Sequence, residues 1–87
     1  MFTVTEAAGE RLAKKVDEKG TKDDHILRFV RRPRGWKLRV DQYKIGDVVY
    51  AHEGRRVLVL DAVAADMLSD RVLDAKTSSA GPRLCLR

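Results

Sequence analysis

Asp47-Val48-Val49-Tyr50-Ala51-His52-Glu53-Gly54-Arg55-Arg56-Val57-Leu58-Val59-Leu60-Asp61 consists of two β-branched runs joined at Glu53-Gly54. Such residues suit a pleated, half-buried surface, and glycine takes φ > 0 in a tight turn without steric penalty. The stretch therefore predicts an antiparallel hairpin over residues 47–60, turning at Glu53-Gly54. Just after it, Ala62-Val63-Ala64-Ala65-Asp66-Met67-Leu68 reads as a short helix with Ala64 or Ala65 and Leu68 facing the sheet. Val72-Leu73-Asp74-Ala75 then reads as a strand, residues 77–81 as a loop, and Arg83-Leu84-Cys85-Leu86-Arg87 as a final strand.

Upstream, Ile45-Gly46 leads into the hairpin. Before it, Trp36, Leu38 and Val40 alternate with Lys37, Arg39 and Asp41, the period of a half-buried strand. Pro33-Arg34-Gly35 separates this strand from another over residues 25–32, because proline has no N–H for a ladder and disfavours helix in the residue before it. Residues 21–24 form a polar connection. The chain opens with a short strand, Phe2-Thr3-Val4, and then a helix. Thr5 is a suitable N-cap with Glu6 in the first turn, Ala8, Leu12 and Val16 recur at i, i+4 and i+8, and Gly20 is the natural stop. A helix over residues 6–19 follows. Thr3 and Glu6 also have capping-box spacing, which allows a start two residues earlier. Leu12, Val16, Val57, Val59 and Leu68 are the expected core.

The 87 residues make one domain over residues 1–87, with no room for a second core, and so small a core gains from homodimer formation. A hydrophobic share of 44% beside 36% charged residues fits a globular chain rather than a disordered one. No apolar run approaches the ~20 residues that span a bilayer, and the first residues lack the basic and apolar regions of a signal peptide. A lone cysteine excludes an intrachain disulfide and fits a reducing compartment, so the expected location is the cytoplasm, without a membrane partner. Net charge is +5 with a pI near 9.7, which favours anionic partners.

The order of helix, strands and hairpin resembles the A-type iron–sulfur carriers, the HesB/IscA-like family. Thr3-Val4-Thr5-Glu6-Ala7-Ala8-Gly9-Glu10-Arg11-Leu12 is similar to that family's opening strand and helix, and Ile26-Leu27-Arg28-Phe29 to its Leu-Arg strand. Residues 47–61 are similar to its hairpin, residues 63–68 to the segment after it, and Asp70-Arg71-Val72-Leu73-Asp74 to the following strand. The resemblance implies an α+β fold: a small β-rich domain with an N-terminal helix and a short helix after a β-hairpin. It also implies three cluster-binding cysteines, and this chain departs from the family there. Arg32-Pro33-Arg34-Gly35-Trp36 stands where the first cysteine belongs, and Lys76-Thr77-Ser78-Ser79-Ala80-Gly81-Pro82 has no Cys-Gly-Cys tract. Clusters need several thiolates at each site, so cluster carriage is not expected of Cys85 alone.

No other catalytic, metal or cofactor site is expected. Alternation places Cys85 on the side of Arg83 and Arg87, where positive neighbours favour its thiolate, yet no histidine or carboxylate near it in sequence would activate it. His25 and His52 have no partners at metal-ligand spacing, and His52 beside Glu53 reads as a solvated turn residue. Asp23, Asp24, Asp47, Asp61, Asp66, Asp70 and Asp74 fall at the ends of elements, where carboxylates cap and solvate. Phosphate loops and nucleophile motifs are absent, so no enzyme is expected.

One constellation remains: Arg28, Arg31, Arg32, Arg34, Trp36, Lys37 and Arg39 occur with no acidic residue among them. Guanidinium groups bind anions bidentately, and an exposed tryptophan stacks on bases. The first expectation is a non-catalytic binding or adaptor protein on the carrier-like fold, with an anionic partner that is protein rather than nucleic acid. The resemblance implies a partner from iron–sulfur or sulfur metabolism. Two alternatives stand beside it: a small nucleic-acid-binding module using residues 28–39, and a metal-binding protein that assembles Cys85 and histidines between chains. Trp36 itself fits the core better than a stacking platform, through its alternation with Leu38 and Val40.

Overall fold

The computed structural model describes residues 1–19 and 25–87. The expected helix stop at Gly20 and the connection over residues 21–24 lie outside the described residues. The elements run β1 (Thr3–Val4), α1 (Glu6–Lys19), β2 (His25–Arg32), β3 (Gly35–Gln42), β4 (Val48–His52), β5 (Arg55–Leu60), α2 (Ala62–Met67), β6 (Val72–Ser78) and β7 (Gly81–Leu86). The fold is α+β, with an N-terminal helix and a short helix after a hairpin.

Two hairpins build the larger sheet, whose order is β3-β2-β5-β4. β2 and β3 are antiparallel, as are β4 and β5, while β2 and β5 meet in parallel at the centre. Burial follows this placement. Ile26, Leu27, Arg28 and Phe29 are all buried, as are Val57, Leu58, Val59 and Leu60, because a central strand is covered on both faces. The edge strand β3 instead alternates half-buried Trp36, Leu38 and Val40 with exposed Lys37 and Arg39. Glu53 and Gly54 both have positive φ, at 51° and 79°, the geometry of a two-residue type I′ turn.

The second sheet has the order β1-β6-β7, with β1 parallel and β7 antiparallel to β6. The expected loop over residues 77–81 is mostly strand: Thr77 pairs with Pro82 and Ser78 with Gly81, so only Ser79 and Ala80 turn the chain. Gly81 takes φ 106°, and the Ser78 hydroxyl donates to its carbonyl at 2.7 Å, which closes the hairpin without a longer loop. Helix α1 starts at Glu6, and Thr3 belongs to β1. Thr5 caps it: its hydroxyl oxygen accepts from Ala8 N–H at 3.2 Å and its hydroxyl donates to Asp74 at 2.8 Å, tying the helix start to β6. Asp61 caps α2 in the same way through Ala64 N–H, at 2.7 Å.

Ala8, Leu12 and Val16 of α1 share one core with Leu27, Phe29, Leu58, Leu60, Leu68 and Leu73, so the helix serves both sheets. Gly9 allows the close approach of α1 to the end of β4. A Cβ there would lie 2.5 Å from His52 Nδ1 and 3.0 Å from Cγ, so His52 packs on the helix and is not a free turn residue. Gly→Ala in a helix interior ordinarily gains up to about 1 kcal/mol. Here Gly9→Ala is expected to lose about 1–2 kcal/mol through overpacking, and the same change in a His52→Ala background to stabilise. Urea unfolding of the four proteins measures both signs.

Candidate functional site

β2 ends at Arg32, Pro33 and Arg34 form the turn, and Gly35 opens β3 with φ 121°. Arg31 pairs with Trp36 across the hairpin, and Arg32 with Gly35. Arg31, Arg32 and Arg34 are exposed around this turn. The guanidinium of Arg31 reaches α2 and donates to the Met67 thioether at 3.7 Å. A hollow of about 370 Å³ opens there, with Arg31, Arg32 and Arg71 around it and Trp36, Met67 and Leu68 against it. Arg71 is absent from the sequence-based set. It lies 35 residues after Trp36 and enters the hollow through the loop between α2 and β6, which also holds its Nε against the Arg87 carbonyl at 2.9 Å.

The remaining members of the set separate. Cross-strand partners share a face, so Lys37 and Arg39 stand with Val30 and Arg28 on the side of the sheet opposite Arg31 and Trp36. Arg28 does not belong to the surface: it is only 6% exposed. Its Nε donates to Asp41 at 2.8 Å, Nη1 and Nη2 donate to Asp47, and Nη2 also donates to the Gln42 carbonyl. Asp47 further accepts the Lys44 N–H at 2.8 Å. Asp47 is therefore neither a solvated element end nor a simple cap, its side chain being buried with Arg28. The Arg28 guanidinium, opposed by burial, holds the Asp47 carboxyl below the usual carboxylate range. Asp41 is held low first by the Gln42 N–H and then by Arg28. This clamp ties the end of β3 to the start of β4 and leaves Arg28 no means of meeting a partner.

Trp36 is half-buried. Its ring packs on Phe29, with centroids 5.3 Å apart at 37°, and against the shared core. The core role expected from alternation is present, and the rest of the indole lines the hollow.

The architecture can now be set beside solved structures. Escherichia coli SufA, involved in the biosynthesis of iron–sulfur clusters, superposes with a TM-score of 0.78 over 99% of this chain and 83% of that one, at 16% identity. IscA solved with a [2Fe–2S] cluster gives a TM-score of 0.62 over 100% and 81% of the chains, at 20% identity. The fold is that of the A-type iron–sulfur carriers. An Aquifex aeolicus protein solved by solution NMR is also similar to it, with a TM-score of 0.66, 25% identity and 99% and 89% coverage. No family model matches the sequence, and no curated protein does. The likeness to A-type carriers thus lies in the fold, with little identity to carry it at the level of sequence.

On this carrier fold the single cysteine sits in β7, half-buried and paired in register with Asp74 of β6. Leu84 and Leu86 pack toward the core on its other side, as alternation predicts. The neighbour across the ladder is thus a carboxylate. Asp74 is itself engaged, held below the usual carboxylate range first by the Thr5 hydroxyl, then by the Ala75 N–H, with Arg87 contributing. Among the described residues, no three of His, Cys, Asp and Glu come together in a way that could hold a metal ion. None of the described helices is long and apolar enough to cross a membrane.

Proposed function

We propose that this protein is a non-catalytic binding protein of the cytoplasm, built on the A-type carrier fold and freed from cluster carriage. Its partner is an anionic protein, and the resemblance points to iron–sulfur or sulfur metabolism as the setting. The observation that supports this most is a replacement. The resemblance puts the first cluster cysteine at the β2–β3 turn, and here that turn carries Arg31, Arg32 and Arg34 beside Arg71, while Cys85 belongs to the other sheet. Guanidinium groups around an apolar floor suit carboxylates attached to a protein surface. Single-stranded nucleic acid is the second reading, since part of the Trp36 ring lines the same hollow. The packing of that ring on Phe29 favours the protein partner.

Two measurements test this. After anaerobic reconstitution with iron and sulfide, gel-filtered protein is expected to keep no visible absorption, because one thiolate per chain cannot hold a cluster. A stoichiometric cluster retained by the protein and lost in Cys85→Ser would return the carrier function. The second measurement is capture of the native partner from nuclease-treated and untreated extract. The Arg32→Ala/Arg34→Ala variant is expected to lose capture while its stability stays within about 0.5 kcal/mol of wild type, as is usual for exposed charges. Capture that vanishes on nuclease treatment selects the nucleic-acid reading.

A further inference from the structure

A second groove, of about 670 Å³, opens on the other side of Trp36, where the two sheets approach each other. Its floor is apolar, made by the rings of Phe29 and Trp36 with Leu38, Leu84 and Leu86. Its rim is cationic: Arg11, Lys15 and Lys19 of α1 and Arg83 of β7, with Lys37, whose side chain belongs to the opposite face, bordering it where β3 forms the sheet edge. Among the described residues, no aspartate or glutamate lines it. β3 and β7 are the outer strands of their sheets, each paired on one side only.

Arg11, Lys15 and Lys19 recur every four residues, so like charges stack along one face of the helix, an arrangement that works against it. Burial, then Arg11 and Lys19, lower the Lys15 ammonium from its ordinary value, and only Glu18 acts in the opposite sense. The Nε of Arg11 is buried and meets no hydrogen-bond acceptor. Among the described residues, none of these cations forms a salt bridge.

We propose that this groove binds an extended acidic segment of a partner protein. Alternate apolar side chains enter the floor, carboxylates meet the cations of α1, and the backbone lies along an unpaired strand edge, which is recognition by strand addition. A groove of this volume is small for a helix about 10 Å across, and it is bounded by two strand edges. Three leucines on the floor suit aliphatic side chains better than bases, whose binding relies on aromatic stacking. The inference rests on the reading that the partner is an anionic protein, and it adds a second contact, on the opposite side of Trp36 from the turn.

Trp36 is the sole tryptophan and lines the groove, so its fluorescence reports occupancy directly. The probe is a short acetylated peptide alternating glutamate with leucine, compared with a short oligothymidylate. The peptide is expected to produce a saturable change in emission that weakens with salt. In Lys15→Glu/Arg83→Glu the affinity is expected to fall at least about tenfold, with thermal unfolding unchanged, and in Arg56→Ala, an exposed cation outside both hollows, to stay as in wild type. Absence of a saturable response, tighter binding of the oligothymidylate, or peptide binding lost in the turn variant Arg32→Ala/Arg34→Ala but kept in the groove variant would each overturn the inference. That last result leaves the turn as the binding surface. Peptide binding through the groove, together with native capture indifferent to the turn variant, removes the turn from the proposed function and keeps the groove.

Discussion

Arg28→Ala is expected to destabilise the protein by on the order of 3–5 kcal/mol, the loss typical of breaking a buried ion pair by removing one partner. The reason lies less in the pair's own strength than in what remains. Asp47 would keep its buried place between the Lys44 N–H and an empty site, a carboxylate removed from water without its guanidinium. Arg28→Met is expected to fare little better, since it restores volume and not charge. Arg28→Met/Asp47→Leu should recover a large part of the loss, because replacing both partners by apolar side chains removes the uncompensated charge. Urea unfolding of the three variants checks this order.

The same clamp sets the response to acid. Asp47 and Asp41 have lowered carboxyl pKa values in the folded protein, so they bind protons less readily there than in the unfolded chain. Their contribution is complete above the ordinary carboxylate value of about 3.9 and disappears as the pH falls through the lowered folded values. Unfolding midpoints should therefore drop below about pH 4, and Asp47→Asn should flatten that fall while lowering stability at neutral pH. A wild-type midpoint that stays constant from pH 5 to acid would contradict the clamp.

Arg28 also shows where sequence reading ends. The α1 stripe, the Pro33 break and the Glu53-Gly54 turn are local signals, each written within a few residues, and the structure has all three. The expected core of Leu12, Val16, Val57, Val59 and Leu68 is buried for the same reason. Arg28, by contrast, reads as one more cation in a basic run, because the carboxylates that bury it stand 13 and 19 residues away. Its burial depends on β2 being central, which strand patterns do not reveal. Thr77 and Ser78 look like loop since they are polar, but they pair with Pro82 and Gly81 in the exposed end of the β6–β7 hairpin, where polar residues are at home. The candidate site was legible at the turn, from Arg31 to Trp36. Arg71 and the groove cations Arg11, Lys15 and Arg83 were not, since α1, α2 and β7 converge on Trp36 only through tertiary packing.

Leu12→Ala is expected to cost on the order of 2–5 kcal/mol, the range for truncating a fully buried leucine. Leu12 has no exposed surface and belongs to the core shared by α1 and both sheets, so collapse of one element onto the void is opposed by the others. A chain of 87 residues has about 4–13 kcal/mol of stability to lose, so the variant should sit near its unfolding threshold at physiological temperature. A loss below about 0.5 kcal/mol would be that of a surface position and would contradict the packing. The change also bears on binding, because Leu12 anchors the helix whose half-buried flank beside the core stripe carries Arg11 and Lys15. If an acidic segment occupies the groove only when α1 is docked, it binds the folded state alone and must raise the melting temperature of Leu12→Ala increasingly with concentration, logarithmically once the peptide exceeds its Kd. The same peptide should leave the melting temperature of Leu12→Ala/Lys15→Glu/Arg83→Glu where it was, which separates stabilisation through the groove from a general effect of charge.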